Sequence, residues 1–137
     1  MLAEVKITPS SPNGPDLTVD EALASARAIV NLFNKWDISD EQARQILGGM
    51  TQRTWARWKQ GDIGRIDRDL ATRLSLLLGI HKGSRYLFGR DIQRAYKWIK
   101  APNEVFGGRS ALDVLLGGQI IDLYGVRRYL DAERSGW

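Results

Sequence analysis

The block TQRTWARWKQ at positions 51–60 concentrates the side chains best suited to a chemical task. At 100° per residue, Trp55 and Trp58 share one side of a helix, with Thr54 beside them. Gln52, Arg53, Ala56, Arg57 and Gln60 fall on the opposite side, flanked by Lys59. In the major groove Arg pairs with guanine, Gln with adenine, and a small Ala permits close approach. Thr51 caps this helix and Lys59 is the candidate phosphate contact, so Thr51, Gln52, Arg53, Arg57, Lys59 and Gln60 form a candidate DNA-reading set. The competing reading is an amphipathic helix whose Arg/Gln face is simply solvated. One spacing departs from the usual helix–turn–helix pattern: Ala43 precedes Gly48 by five residues, not four.

Charge gives this face modest support. The chain of 137 residues carries a net +4. Residues 37–89 hold nine basic and six acidic groups, the most basic third, against −1 for residues 1–36 and +2 for residues 90–137. Such a balance suits nucleic acid but also occurs on plain solvated surfaces.

Several functions are set aside by what is missing. With no cysteine, there is neither a disulfide framework nor a thiolate metal site. The lone histidine, His81, has no nearby Ser, Cys or carboxylate in sequence and reads as a surface or turn residue. No metal spacing or catalytic constellation occurs, so no enzyme activity, metal or cofactor is expected. No apolar run approaches the roughly 18–20 residues of a membrane span, and no secretory layout opens the chain. A cytoplasmic protein that does not engage membrane is expected.

These side chains need a scaffold, and the pattern predicts an all-α one. Residues 1–17 read as a flexible leader containing three of the four prolines. Thr18 and Glu21 form a capping box for a helix to about Trp36. Ser39 with Gln42 opens a second helix, stopped by Gly48-Gly49. Thr51 caps the third, with Met50 and Trp55 at the positions of a hydrophobic staple. Asp67 opens a fourth helix carrying Leu70, Leu74, Leu77 and Leu78, expected to stop at Gly79. IHKGSRYLFG then reads as a connector. Ile92, Ala95, Tyr96 and Ile99 mark a fifth helix, Ser110 and Asp113 cap the short SALDVLL helix, and the last runs from about Gln119 to Arg134. The expected division is a helix–turn–helix domain at 18–89 and a small helical domain at 90–137.

Residues 98–118, WIKAPNEVFGGRSALDVLLGG, turn sharply twice while keeping large apolar groups at the turns. Gly107-Gly108 before the Ser110 cap would suit a phosphate. The Lys-Ser/Thr and the preceding strand of a phosphate loop are absent, which favours a tight inter-helix turn.

WIKAPNEVFGGRSALDVLLGGQIIDLYGVRRYLD resembles the C-terminal toxin-binding domain of the Xre/MbcA/ParS antitoxin family, in its Trp, P-N turn, G-G pairs and closing helix. RTWARWKQG, DRDLATRLSLLLGI and YLFG resemble the Xre-like helix–turn–helix domain joined to it. The resemblance implies an antitoxin, usually a homodimer within a toxin–antitoxin hetero-oligomer. It would cover the NAD pocket of a RES-domain toxin and repress its own promoter by binding operator DNA.

On that basis Trp98, Pro102, Asn103, Phe106, Gly107, Gly108, Arg127, Arg128, Tyr129 and Trp137 are the candidate toxin-binding residues. Each has a rival reading. Trp98 and Phe106 would also serve as the core of a small subdomain, Arg127 could pair with Asp131 four residues on, and Trp137 could fold back onto its own chain. A stand-alone helix–turn–helix transcriptional regulator, with a C-terminal domain that only dimerises, also stays open.

Overall fold

Short polar side chains start nearly every helix, as the capping pattern requires. In the computed structural model, which describes residues 17–135, α1 (Val19–Lys35) begins at Thr18, whose hydroxyl accepts from the Glu21 N–H while Glu21 reaches back. Ser39 does the same with Gln42 for α2 (Asp40–Ile46), and Thr51 caps α3 (Gln52–Lys59). Asp67 opens α4 (Arg68–Phe88) and Asp91 opens α5 (Ile92–Trp98). After a 3₁₀ turn at Glu104–Phe106, Ser110 and Asp113 form a capping box for α6 (Ala111–Leu115). The last helix, α7, spans Ile120–Arg134, and Asp122 accepts from the Gln119 N–H at 3.0 Å. No β-strand forms among the described residues; Pro102 and Ser110 make one isolated antiparallel bridge. The all-α architecture is the one the periodicity predicts. The expected leader, Leu17 excepted, and the residue Trp137 lie outside the described residues.

The fourth helix departs from expectation. Gly79 does not stop it, and the expected connector is helical as far as Phe88. The reason is tertiary. Leu74, Leu77, Ile80, Gly83 and Ser84 continue one buried stripe, and α7 lies along it. Gly79 and Gly83 are the notches that let α7 approach: a Cβ on Gly79 would collide with the Arg127 guanidinium, and one on Gly83 would meet Leu130 Cβ at 2.9 Å. Packing of a buried face overrides the roughly 1 kcal/mol that each glycine costs a helix.

His81 is consequently a helical residue, not a turn residue. Its ring stacks on Tyr96 with centroids 5.9 Å apart, and burial, aided by the Arg85 charge, holds its pKa below 6.5.

A single cluster of buried residues runs through the chain. Ile29, Phe33, Trp36, Ile46, Trp55 and Trp58 join Leu74, Leu77 and Ile80, which join Ile99, Leu112, Leu115, Leu123, Val126 and Leu130. Helix α4 is the wall shared by both halves.

Candidate functional site

Two left-handed glycines shape the turn between α2 and α3: Gly48 at φ +87° and Gly49 at φ +89°. Only glycine adopts such angles without strain. The N–H groups of Gly49 and Met50 donate to the Arg44 carbonyl at 2.9 and 3.1 Å, and Arg44 Nε donates to the Met50 carbonyl at 2.9 Å. This turn delivers α3 with its indoles inward. Trp55 and Trp58 are buried, with Phe33 6.0 Å from Trp55 and Trp58 6.5 Å beyond it. Truncating either indole would cost roughly 3–5 kcal/mol.

The opposite face of α3 is open. Gln52, Arg53, Ala56, Arg57 and Gln60 are all exposed, and the four polar side chains among them engage no partner among the described residues. Lys59 differs. Its ammonium donates to Asp40 Oδ2 at 2.8 Å, while Trp55 Nε1 donates to Asp40 Oδ1 at 2.9 Å. These two bonds, Lys59's first, hold the Asp40 carboxyl below its ordinary 3.8. Thr51 is occupied as the cap, accepting from the Thr54 N–H at 3.1 Å. The structure therefore brings four unengaged donors onto one face and ties Lys59 back to α2.

In the C-terminal half, three expected residues meet. Trp98 and Tyr129 stack in parallel at 6.2 Å, and Phe106 sets its edge against Tyr129 at 5.4 Å. All three are half-buried against the core. Pro102, Asn103, Gly107 and Gly108 build the turn that carries Phe106. Asn103 Oδ1 accepts from the Val105 N–H at 3.0 Å, the Gly108 N–H donates to the Asn103 carbonyl at 3.0 Å, and both glycines take positive φ.

The two arginines of α7 part company. Arg127 lies over Gly79 and pairs with Asp131 at 3.3 Å, whereas Arg128 is exposed. Beside Arg128, the outward face of α7 carries Ile121, 68% exposed, and Tyr124, 47% exposed. A Cβ on Gly125 would meet nothing within 4 Å. Sequence reasoning missed this face, although its spacing of three and four residues opposite Leu123, Val126 and Leu130 was the available signal.

Polar bonds also lock the two halves together. Arg73, 7% exposed, donates to the carbonyls of Ile46 at 3.0 Å and Gly118 at 2.8 Å and pairs with Asp69 at 2.9 Å. The Gln45 amide donates to the Leu116 carbonyl. Lys100 donates to the Asp37 carbonyl at 2.6 Å. None of the described helices is long and apolar enough to cross a membrane.

Comparison with known proteins matches both halves of the chain. Residues 16–79 match the antitoxin Xre-like helix-turn-helix domain. Residues 85–136 match the antitoxin Xre/MbcA/ParS C-terminal toxin-binding domain. The chain belongs to the Xre/MbcA/ParS antitoxin family. This antitoxin is also 38% identical over 127 residues to the uncharacterized protein y4oB of Sinorhizobium fredii, an alignment covering 93% of the chain and 95% of that relative. In the antitoxin the Gly48-Gly49 turn and α3 fall in the first matched domain, and the Trp98–Tyr129–Phe106 stack in the second.

Proposed function

We propose that this antitoxin neutralises a RES-domain, NAD-consuming toxin by laying α7 over the toxin's active site, and represses its own operon through α3. The supporting observation is the distribution of exposed apolar groups. Of the five large apolar side chains that the fold leaves exposed among the described residues, Tyr86, Val105, Ile121 and Tyr124 lie within 85–136. The toxin-binding half, not the helix–turn–helix, thus carries the apolar surface that a protein partner would cover. Arg128 supplies a cation at its rim for an acidic group near a nucleotide pocket. Arg53, Arg57, Gln52 and Gln60 are the donors for operator bases, in a homodimer within the toxin–antitoxin assembly.

Truncation at Gly89 would strip α7 from α4 and expose Leu77 and Ile80, so point substitutions are the cleaner test. Ile121→Asp and Tyr124→Ala should each leave the melting temperature in place. Each should weaken binding to the toxin encoded beside this gene at least about tenfold, the effect of losing one buried contact, and abolish rescue of growth. Full rescue by both variants would remove the α7 face from the mechanism. Loss of all toxin binding by the unaltered chain, with operator binding retained, would leave the stand-alone regulator.

A further inference from the structure

The C-terminal end of α4 and the last turn of α7 form an open cleft of about 350 Å³, lined by His81, Lys82, Arg85, Tyr86, Gly89 and Arg134. That volume lies within the roughly 300–1,000 Å³ of small-ligand sites. Neither matched domain includes residues 80–84, so His81 and Lys82 fall between the DNA-reading and toxin-binding parts.

We propose that this cleft binds a nucleotide unit, with its phosphate among Lys82, Arg85 and Arg134 and its base on Tyr86. The charge comes first. Three cations converge on the cleft, and no carboxylate of the described residues lines it. None of the three makes an ion pair among the described residues. Like charges brought together repel, and an anion relieves that repulsion. Complementing the helix dipoles accounts for Arg85 and Arg134, each in its helix's last turn, but the dipole effect does not extend to Lys82.

The second argument is the aromatic ring. The Arg134 guanidinium stands 5.5 Å from the Tyr86 centroid, yet Tyr86 remains 63% exposed. A ring with a cation over it and most of its surface exposed is a stacking platform for a planar base. Phosphate plus planar ring is the chemistry of a nucleotide, either free or at the end of a single strand.

The test is an amide-resolved NMR titration of the full chain with AMP, with adenosine, with inorganic phosphate and with a 5′-phosphorylated single-stranded trinucleotide. AMP should shift amides of 81–89 and 134 saturably and bind about tenfold more tightly than either half-ligand. Tyr86→Ala, and Lys82→Ala with Arg85→Ala, should each weaken it about tenfold at unchanged melting temperature. A trinucleotide binding more tightly than AMP on the same amides identifies the strand end as the source; the reverse identifies the free nucleotide. AMP binding no tighter than inorganic phosphate, shifts centred on α3, or indifference to both sets of substitutions would overturn the proposal. Toxin binding is read on Ile121→Asp and Tyr124→Ala, which lie outside the cleft, so the two readings fail independently.

Discussion

Gly83 on α4 and Leu130 on α7 stand so close that a methyl group on the glycine would lie 2.9 Å from the leucine Cβ. That contact, one helical turn from the seat of Arg127 over Gly79, sets how closely α4 and α7 pack. Leu130 Cβ is fixed to its backbone, so α7 itself would have to move. The Arg127 guanidinium is the free end of a long side chain and can swing away.

The two glycines should therefore respond differently to alanine. Gly83→Ala should lose about 1–3 kcal/mol through overpacking. Gly79→Ala should stay within about 0.5 kcal/mol, because the gain in helix propensity offsets a displaced Arg127. Urea unfolding of both variants checks this; equal losses would mean that Arg127 is held as firmly as Leu130.

Arg73 holds the α2 C-terminus and the α6–α7 turn with one nitrogen, Nη1. Arg73→Ala should cost about 1–3 kcal/mol for each carbonyl left without a donor. Arg73→Lys should recover only part of this, since a point ammonium lacks the planar fork. Hydrogen exchange should show faster opening at both 45–50 and 116–120 in Arg73→Ala. Exchange confined to one segment would contradict a shared anchor.

Asp40 restrains Lys59 and can be removed gently. Asp40→Asn keeps an oxygen acceptor for Trp55 Nε1 and ends the ion pair, an exposed bond worth at most about 1 kcal/mol. If the released Lys59 meets phosphate, affinity for DNA of any sequence should rise and the log–log salt slope should steepen by about one. An unchanged slope assigns Lys59 to α2 alone. The same variant should lose an acid-sensitive contribution. The Asp40 carboxyl is held below 3.8 in the fold, so its stabilisation is present above that pH and disappears as pH falls through the lowered value.

His81 acts in a different pH window. Its folded pKa lies below 6.5, chiefly through burial and then through Arg85. Between that lowered value and 6.5 the unfolded chain binds more protons, so stability is full above 6.5 and declines as pH falls below it. His81→Phe keeps a ring against Tyr96 and removes the titration. Melting temperatures from pH 5 to 7 should slope for the parent chain and flatten for the variant; parallel curves would remove His81 as the source.

The capping boxes at Thr18, Ser39 and Ser110, the Gly48-Gly49 turn and the inward indoles of α3 were legible in the sequence. Each is decided within three or four residues of backbone, or by which side of one helix is apolar. The exposed donors of α3 followed from the same periodicity. The role of Gly79 was not legible, because a glycine reads as a stop until the helix lying on it is known. For Arg127 the pairing with Asp131 four residues on was legible, but its seat over Gly79 was not. Only the crossing of α7 over α4 turns Arg127 inward and leaves Arg128 beside Ile121 and Tyr124. Arg73 is the clearest case: its partners Ile46 and Gly118 belong to segments brought together only by the shared core, and a buried guanidinium takes whichever carbonyls the packing presents. Local spacing determined the helices and their faces, and the contacts between distant helices decided which side chains remain available to bind anything else.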